Sequence, residues 1–487
     1  MQLTIPYRLQ NYIAGHFVEP VGGNFMANNN PATNEVYGQI PDSDHRDIEL
    51  AVIAANAALN AWGNSLPEYR FAVLNKIGDL IEENLDELAT AETNDSGKPL
   101  WLSKKVDIPR ASANFRFFAT GILHFASESH PMQDKAINYT LRQPVGIVGC
   151  ISPWNLPLYL FSWKIAPAIA AGNCVIAKPS EVTPVTAFLL SKICKEAGLP
   201  DGVLNIVHGT GQHCGEAIVQ HPSIKAISFT GSTRAGERIA SLASPQFKKL
   251  SLELGGKNPN IIFEDCNWEK MMKTTLQSSF LNQGEICLCG SRILIQSSVY
   301  AKFKEEFINK TRELKVGDPL EPDNNQGAIV SKVHFNKIMG CIALAKQEGG
   351  KILTGGSSIK LDGRCTNGFF IEPTVIEGLG PECTSNLDEI FGPVVTLQKF
   401  DTEEEALRLA NWSAYGLSAT IWTQDINRAN RVASKVDSGI IWVNCWLLRD
   451  LRTPFGGMKN SGVGREGGWE ALKFFTEAKN VCIDFGE

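Results

Sequence analysis

The sequence predicts an α/β protein with two doubly wound parallel sheets and a small β-rich appendage. Three observations lead to this fold class. Apolar runs of strand length alternate with segments that repeat apolar residues at helical spacing. Several of these runs are continuous, as in strands that are buried on both faces. The chain also has 487 residues, and at about 150 residues per domain this length predicts roughly three domains.

The first part of the chain is mainly helical in pattern. Residues 70–93 carry apolar side chains at positions 71, 74, 77, 81, 85 and 88, with acidic residues on the opposite face. This spacing predicts one amphipathic helix over the whole segment. Residues 105–127 continue in the same helical style.

A β-rich stretch follows. Ile137–Leu141 alternates and predicts a strand that pairs at a sheet edge or across subunits, whereas Val145–Ile151 is continuous and predicts a buried parallel strand. The charge-free stretch from Gln143 to Trp163 has 21 residues, enough to span a bilayer. Because it contains three prolines, we interpret it instead as a strand, a loop and the start of a helix.

Strand and helix signals then alternate in two series. In the first, the predicted strands are CVIAKPS, LNIVHGTG, AISFTGS and KLSLELGG, and the helices between them are VTAFLLSKICKEAG, HCGEAIVQH and RAGERIASLA. This rhythm is typical of a doubly wound parallel sheet. A second series begins near residue 260 and predicts a second α/β domain; it includes WEKMMKTTLQSSFLNQ, SRILIQ, VYAKFKEEFINKTREL, VVTLQKF, EEALRLANWS, SATIWTQ and GIIWVNCW.

Composition and charge narrow the function classes. The net charge is −6 and no block of five like charges occurs, which disfavours a nucleic-acid partner. The 12 cysteines are scattered and lack the CxxC pairs of a zinc site, so we expect no metal centre and a reducing compartment. The N-terminus has no basic region followed by a long apolar core. We therefore expect no signal peptide, a cytoplasmic protein and no membrane partner.

Two predicted strand ends carry groups that suit a nucleotide. Gly231 and Ser232 lie between a strand and a helix, where backbone N–H groups can hold an anion. Lys178 and Glu181 follow another strand, and Glu181 could accept hydrogen bonds from ribose hydroxyls. The glycine spacing is not GxGxxG, and each feature alone also fits an ordinary turn or a solvated loop charge.

Two further segments carry reactive groups. In FLNQGEICLCGSR, Cys287 follows a glycine-containing break after a helix, and a thiol is the most nucleophilic side chain near neutral pH. In LELGGKN, Glu253 ends an apolar strand before two glycines, where a carboxylate can act as a general base. Taken singly, each residue also fits a buried structural role. No His lies near Cys287 in the sequence, so a Cys–His hydrolase has no local support.

Together these segments resemble the signatures of the NAD(P)-dependent aldehyde dehydrogenase superfamily, and they occur in that family's order. LELGGKN is similar to its glutamate signature and FLNQGEIC to its cysteine signature; further similar segments are SPWNLP, FTGSTRAG, EIFGPV and PFGGMKNSGVGREGG. The resemblance extends from about residue 10 to residue 480. One departure is Glu285-Ile286, where many relatives have Gln-Cys.

The resemblance implies a role for each matching residue. Cys287 would attack the aldehyde carbon, Asn155 and the Cys287 backbone N–H would stabilise the oxyanion, and Glu253 would activate water against the thioester. The cofactor would be NAD, because a carboxylate at Glu181 repels the 2′-phosphate of NADP. The implied cofactor contacts are Lys178 and Glu181 at the adenosine ribose, Trp154, Gly231 and Ser232 near the pyrophosphate, and Glu389 and Phe391 near the nicotinamide ribose.

The resemblance also implies a domain division. Residues 1–122 and 147–254 would bind NAD, residues 255–453 would form the catalytic domain, and residues 454–473 would return toward the NAD-binding domain. Residues 123–146 and 474–487 resemble oligomerisation elements, so a homodimer or homotetramer is expected. A non-catalytic relative is disfavoured because Cys287, Glu253 and Asn155 are all present.

The substrate is predicted from two arginines. The resemblance puts Arg110 and Arg449 on the walls of the substrate channel, with Arg452 as the alternative to Arg449. A guanidinium binds a carboxylate bidentately, so we expect an aldehyde that also carries a carboxylate; surface ion pairs are the alternative. Within the family, the local segments are most similar to members that oxidise 2-aminomuconate semialdehyde. Members that oxidise 2-hydroxymuconate semialdehyde are the close alternative, and betaine aldehyde is disfavoured. Further predicted substrate contacts are Leu156, Trp163 and Phe455.

Overall fold

The structure is a computed structural model and describes residues 3–486. Residues 1, 2 and 487, at the ends of the predicted segments 1–122 and 474–487, lie outside the described residues. The strands β1 to β24 are Asn11–Ile13, His16–Val18, Phe25–Asn30, Glu35–Pro41, Ser129–Met132, Ala136–Pro144, Ile147–Ile151, Cys174–Lys178, Leu204–Ile206, Ile224–Thr230, Lys249–Glu253, Pro259–Ile262, Arg292–Gln296, Lys351–Thr354, Ser358–Ile359, Phe370–Ile371, Thr374–Glu377, Val394–Phe400, Tyr415–Gly416, Ser418–Trp422, Ile440–Val443, Met458–Lys459, Gly462–Val463 and Thr476–Asp484.

The helices alternate with these strands over most of the chain. The helices α1 to α16 are His45–Gly63, Pro67–Glu83, Leu85–Ser96, Leu100–Leu102, Ile108–Leu123, Pro157–Ala170, Val185–Glu196, Glu216–Gln220, Thr233–Ala243, Trp268–Phe280, Ser297–Arg312, Lys332–Gln347, Thr384–Leu387, Glu403–Asn411, Ile426–Ala433 and Gly468–Phe474. Two π-helical turns (Ser103–Asp107 and Gly211–Gly215) and three 3₁₀ turns (Ser244–Gln246, Leu281–Gly284 and Gly363–Cys365) complete the helical segments.

The first sheet has eight strands in the order β2-β1-β9-β8-β7-β10-β11-β23. Its central strands β9, β8, β7, β10 and β11 are parallel, and β1 and β23 add antiparallel edges. The strand order reverses between β7 and β10, which is where an open parallel sheet binds its ligand. Strand β23 and helix α16 bring the segment after residue 454 back to this sheet, where Leu472 joins its core.

The second sheet has seven strands in the order β14-β17-β18-β13-β12-β20-β21. All its pairings are parallel except β14 with β17. The strands are short apolar runs that are buried on both faces, and separate apolar cores form on the two sides of the sheet. The two sheets confirm the predicted α/β class with doubly wound sheets.

A third sheet joins distant parts of the chain in the order β24-β6-β5. Strand β6 pairs with β24 along its whole length, from Ala136↔Asp484 to Pro144↔Thr476. The prediction that Ile137–Leu141 pairs at an edge or across subunits was therefore wrong, because β6 is the central strand and both its partners come from the same chain. Sequence alternation cannot reveal a partner that lies more than 300 residues away.

The predicted helix over 70–93 is divided in two. Helix α2 ends at Glu83 and α3 begins at Leu85, with Asn84 between them at φ −112° and ψ 28°. The Asn84 side-chain amide donates to the Leu80 carbonyl at 2.7 Å and so satisfies one end of α2. In the described residues, every helix is too short or too polar to cross a bilayer.

Candidate active site

The site lies at the carboxyl ends of the parallel strands in the first sheet. The register aligns Ile151 of β7 with Phe229 of β10, and Thr230 of β10 with Glu253 of β11. The loop after β7 carries Asn155, so these strand ends bring it to the same edge as Glu253. The sheet topology therefore brings together residues that are about 100 positions apart in the chain.

Cys287 reaches this edge from the second sheet through an unusual turn. Asn282, Gln283 and Gly284 follow helix α10 and all have left-handed backbone angles, with φ of 52°, 54° and 72°. A Cβ on Gly284 would lie 2.1 Å from the Gly392 carbonyl oxygen, so only glycine fits there. Three successive left-handed residues are costly, and such strain is typical of functional sites.

Two cavities meet at Cys287. The larger one has a volume of about 210 Å³ and is lined by Pro153, Trp154, Asn155, Thr230, Gly231, Ser232, Leu254, Gly255, Cys287, His334, Lys337, Glu389 and Phe391. The smaller one has a volume of about 40 Å³ and is lined by Leu102, Val106, Asp107, Leu156, Tyr159, Leu160, Thr230, Glu253, Leu254, Leu281, Ile286, Cys287, Leu288, Leu447, Arg449, Phe455 and Glu466. Cys287 thus lines both cavities.

Two N–H groups, one on Asn155 and one on Cys287, belong to residues that line the larger cavity. The Asn155 side-chain Nδ2 donates one hydrogen bond to the Glu285 carbonyl at 2.9 Å, which leaves its second N–H free for another acceptor. Within residues 3–486, the backbone N–H of Cys287 has no hydrogen-bond partner. Two free donors on residues that line the same cavity as the thiol are what an oxyanion hole requires.

The thiol of Cys287 holds its proton more strongly than an ordinary cysteine does. Its side chain is half-buried and forms no disulfide. Burial raises the pKa of Cys287 above its usual value, and the nearby carboxyls of Glu389 and Glu253 raise it further. An attack by this sulfur therefore requires that its proton be removed.

Glu253 is a buried carboxyl without a partner for one oxygen. It is 3% exposed, and its Oε1 has no hydrogen-bond partner within the described chain. Burial raises the pKa of Glu253 well above 4.5, and the charge of Glu466 adds to this rise. Behind it, Glu466 Oε1 accepts hydrogen bonds from Lys164 Nζ at 2.8 Å and from Ser228 Oγ at 3.2 Å. A carboxyl with a raised pKa can exchange protons near neutral pH.

The larger cavity has an aromatic and charged rim. The Trp154 ring lies 4.9 Å from the His334 ring and 5.2 Å from the Phe391 ring, between centroids. Glu389 Oε1 accepts the Gly256 N–H at 2.8 Å, and a Cβ on Gly255 would lie 2.5 Å from Glu389 Oε2. Because Gly255 has no side chain, the carboxyl of Glu389 can enter the site.

The opposite end of the larger cavity suits a phosphate. Gly231 and Ser232 line it, and Ser232 caps helix α9 by accepting the Ala235 N–H at 3.3 Å. The first N–H groups of this helix can bind an anion. Together with the aromatic rim and the polar Glu389, these groups fit a dinucleotide. Among the described residues, no three His, Cys, Asp or Glu side chains are arranged to hold a metal ion.

Lys178 and Glu181 lie at the end of β8, which neighbours β7. Lys178 Nζ donates to Glu181 Oε2 at 3.0 Å and to the Pro179 carbonyl at 2.9 Å. Burial alone would raise the pKa of Glu181, but the Lys178 ammonium and the backbone hydrogen bonds of the carboxyl together outweigh it and lower the pKa below 4.5. Glu181 is therefore an anion at neutral pH.

The arginines lie beside the smaller cavity. Arg449 lines it, donates from Nη1 to the Tyr159 hydroxyl at 2.9 Å and lies 4.0 Å from the centre of the Phe455 ring. Arg110 lies 5.4 Å from the centre of the Tyr159 ring, and its Nε and Nη2 are buried without a partner in the described structure. Burial lowers the pKa of Arg110 from 12.5.

The structure brings only some of the predicted substrate residues to the cavity wall. Leu156, Arg449 and Phe455 line it. Trp163 does not, because it is 2% exposed and packs behind the wall, with the guanidiniums of Arg110 and Arg449 at 6.0 and 5.4 Å from its ring. Arg110 likewise lies in the layer behind the wall.

The alternative arginine, Arg452, has a different environment. Its side chain is 80% exposed, and its guanidinium pairs with Asp450 at 2.6 Å. Of Arg449 and Arg452, Arg449 is therefore the one that lines the cavity.

The sequence matches the model of the aldehyde dehydrogenase family over residues 17–481. The chain belongs to this family. This match confirms the predicted family. A crystal structure of a putative aldehyde dehydrogenase from Burkholderia cenocepacia is 38% identical and superimposes with a TM-score of 0.96, over 98% of this chain and 97% of that one. The predicted fold is therefore confirmed as well.

Two curated relatives and one solved complex are informative. The 2-aminomuconic semialdehyde dehydrogenase of Mus musculus is 51% identical over 98% of both chains. The 2-hydroxymuconic semialdehyde dehydrogenase of Pseudomonas sp. (strain CF600) is 41% identical over 98% of this chain and 99% of its own. The NAD⁺ complex of a Bacillus cereus aldehyde dehydrogenase is 37% identical with a TM-score of 0.95, over 98% of this chain and 96% of that one.

The sequence reasoning missed several residues of this aldehyde dehydrogenase site. His334 and Lys337 come from helix α12 and line the larger cavity, and Tyr159 and Glu466 line the smaller one. His334 and Lys337 are three positions apart, which places both on one face of a helix. Any surface helix shows this pattern, so only the packing of α12 against the cavity distinguishes them. Tyr159 could have been noticed, because it follows the SPWNLP segment by two residues.

Proposed function

We propose that the protein oxidises 2-aminomuconate 6-semialdehyde to 2-aminomuconate, with NAD as the hydride acceptor. The observation that carries this proposal is the guanidinium of Arg449 in the same small cavity as Cys287 and Glu253. An aldehyde whose carbonyl carbon meets Cys287 could thus direct a carboxylate at Arg449. The 51% identity to a 2-aminomuconic semialdehyde dehydrogenase supports the same substrate.

The first step joins the aldehyde to the enzyme. The Cys287 sulfur forms a bond to the aldehyde carbon after its proton has left, and the carbonyl oxygen becomes an oxyanion. The free N–H of the Asn155 side chain and the backbone N–H of Cys287 stabilise that negative charge. Glu253 lines the same cavity and has a raised pKa, so its carboxylate form is a base suited to take the thiol proton.

The second step oxidises the adduct, and the third releases the acid. NAD held beside Trp154, Glu389 and Phe391 in the larger cavity would supply the hydride acceptor, and loss of a hydride from the aldehyde carbon would convert the thiohemiacetal on Cys287 into a thioester. Glu253 first releases the thiol proton to solvent and, as a carboxylate again, removes a proton from water, whose oxygen attacks the thioester carbon. The carbon–sulfur bond breaks, the carboxylic acid leaves and Cys287 regains its proton.

The larger cavity and its surroundings supply the cofactor contacts. We assign Lys178 and Glu181 to the adenosine ribose, Trp154, Gly231 and Ser232 to the pyrophosphate, and Glu389 and Phe391 to the nicotinamide ribose. The ionised carboxylate of Glu181 supports NAD over NADP. The NAD⁺ complex of the Bacillus cereus relative supports the same cofactor.

The domain roles follow this division. We propose that residues 1–122 and 147–254 bind NAD, that residues 255–453 supply the nucleophile, and that residues 123–146 and 474–487 mediate assembly into a homodimer or homotetramer. The three-stranded sheet that joins these last two segments supports this role. The free state of all 12 cysteines supports a reducing, cytoplasmic location.

The second candidate substrate is 2-hydroxymuconate semialdehyde, which the 41% identical Pseudomonas relative supports. It differs from the first only in having a hydroxyl in place of the amino group. The cation Arg449 argues against betaine aldehyde, because like charges repel in a cavity with little water.

The test is the absorbance of NADH during turnover of four aldehydes. They are 2-aminomuconate semialdehyde, its 2-hydroxy analogue, betaine aldehyde and a neutral aldehyde of similar length, with Cys287→Ala as the inactive control. We expect the highest kcat/KM for the aminomuconate compound. A higher kcat/KM for betaine aldehyde or for the neutral aldehyde would refute the substrate assignment, and NADH formation by Cys287→Ala would refute the covalent mechanism.

A further inference from the structure

A buried charged cluster lies directly behind the predicted oxyanion site. It consists of Lys98, Glu92 and Asp107, and all three side chains are 0% exposed. Lys98 Nζ donates to Asp107 Oδ2 at 2.7 Å and lies 3.7 Å from Glu92 Oε1. In the described part of the chain, Glu92 Oε1 and Asp107 Oδ1 have no hydrogen-bond partner. A buried cation and two buried carboxyls are expensive to hold in an apolar interior.

The local fold creates this cluster. Glu92 comes from α3, and Asp107 ends the π-helical turn Ser103–Asp107, which joins α4 to α5. The wider turn rotates Asp107 toward Lys98 and the small cavity, which Asp107 also lines. π-Helical turns are uncommon and occur frequently at functional sites. Helix α3 and the π-helical turn thus each direct a carboxyl at the one ammonium group.

The second hydrogen bond of the ammonium leads to Asn155. Lys98 Nζ donates to the Asn155 carbonyl oxygen at 3.0 Å, and Asn282 Nδ2 donates to the same oxygen at 3.1 Å. Asn282 is one of the three left-handed residues before Cys287, and its amide also lies 3.3 Å from the Glu285 carbonyl oxygen. That Glu285 carbonyl accepts the Asn155 side-chain amide. The main chain of Asn155 is therefore fixed by the cation on one side and by the cysteine loop on the other.

We propose that Lys98 is a positioning residue, which orients the oxyanion donor Asn155 by holding its backbone carbonyl. This inference rests on the proposed function. Asn155 lies in the loop after β7, and outside regular structure its carbonyl needs partners from elsewhere. An ammonium group anchored by two carboxyls holds that carbonyl in one place. The side-chain N–H of Asn155 is then directed at the oxygen that becomes negative.

The geometry of the cluster fits a positioning role better than a purely structural one. Replacing a buried ion pair by apolar residues is often neutral for stability, so stability alone does not explain such a cluster. In addition, Glu92 Oε2 accepts the N–H of Leu158 at the start of α6, so the cluster holds the loop at Asn155 and again where the loop enters α6. A shift of about 1 Å in a positioned group can reduce a rate about a hundredfold.

The test compares Lys98→Met with wild type in the pre-steady-state burst of NADH. At saturating NAD and aldehyde we expect a burst about tenfold to a hundredfold slower, because the oxyanion donor is displaced. Alkylation of Cys287 by iodoacetamide forms no oxyanion, so its rate, read by mass spectrometry of the Cys287 peptide, should not change. Lys248→Met is the matched control, because that lysine donates to the carbonyl of His221 outside both cavities; its burst should equal that of wild type.

A double-mutant cycle with Asn155→Ala separates positioning from general damage. Once the Asn155 amide is absent, Lys98→Met should slow the burst by less than about twofold more, since residues that act through one contact are not additive. Full additivity of the two effects would overturn the inference, as would an unchanged burst in Lys98→Met. If Asn155→Ala itself kept the wild-type burst, the proposed oxyanion role of Asn155 would be wrong instead.

A second variant covers the case in which Lys98→Met does not fold. Lys98→Met with Glu92→Gln removes one positive and one negative charge, so the cluster keeps its net charge while the hydrogen bond to Asn155 is lost. We expect the same slow burst and the same unchanged alkylation of Cys287. A wild-type burst in this folded double variant would also overturn the inference.

Discussion

Arg449→Ala is the most direct test of the substrate assignment. Arg449 is the arginine that lines the small cavity beside Cys287 and Glu253, and its Nη1 is already oriented by the hydroxyl of Tyr159 at 2.9 Å. Hydrogen bonds to a charged group contribute about 1.5–3 kcal/mol. We therefore expect kcat/KM for the carboxylated semialdehyde to fall by about tenfold to a hundredfold.

A neutral aldehyde provides the internal comparison. It lacks the carboxylate, so its kcat/KM should fall much less in Arg449→Ala. The charge of Arg449 also lowers the pKa of Glu253, although burial and Glu466 raise it more. Removal of Arg449 therefore raises the pKa of Glu253 and moves the acid limb of the pH profile of turnover to higher pH for every aldehyde. For this reason the two substrates must be compared at the plateau of each pH profile.

Arg452→Ala is the matched control, because Arg452 is three residues away, exposed, and paired with Asp450. Exposed ion pairs contribute little, so its kinetics should match those of wild type. Tyr159→Phe should give an intermediate loss, since Arg449 remains but loses its oriented contact. An equal loss of activity on neutral and carboxylated aldehydes in Arg449→Ala would refute carboxylate recognition and leave Arg449 a structural residue.

Three further predictions concern turnover and the cofactor. Glu253→Ala should release one burst of NADH and then turn over slowly while a thioester accumulates on Cys287; mass spectra without that adduct during turnover would count against Glu253 as the water-activating base. Glu466→Gln should move the acid limb of kcat to lower pH, because removing the neighbouring negative charge lowers the raised pKa of Glu253; a limb that stays or moves to higher pH contradicts this. Glu181→Ser should reduce the preference for NAD over NADP by at least about tenfold, because the ionised carboxylate repels the 2′-phosphate of NADP. Equal kcat/KM with both cofactors in the wild type would already disprove the role of Glu181.

The sequence alone predicted which groups could carry the chemistry. Cys287, Glu253 and Asn155 each lie in a short segment whose residue order is characteristic of the family, and short segments are readable without a fold. The two alternating series of strands and helices likewise determined the doubly wound class, because buried parallel strands are continuous apolar runs. Both kinds of signal are local in the chain.

The tertiary structure decided what depends on distant partners. It showed which arginine lines the cavity, since Arg449 and Arg452 are equivalent in the sequence and differ only in what they contact. It also showed that Trp163 lies behind the wall, although an aromatic residue on a helix carries no sign of which side it faces.

The dependence on distant contacts also explains why the sequence did not reveal the helix break at Asn84 or the cluster around Lys98. The apolar spacing of 70–93 continues through the break, whereas the change in direction depends on backbone angles at Asn84. Lys98 meets Asp107 and Asn155, which are 9 and 57 positions away. Burial and charge pairing are properties of packed surfaces, so a sequence can name the reactive groups while only the fold determines what holds them in place.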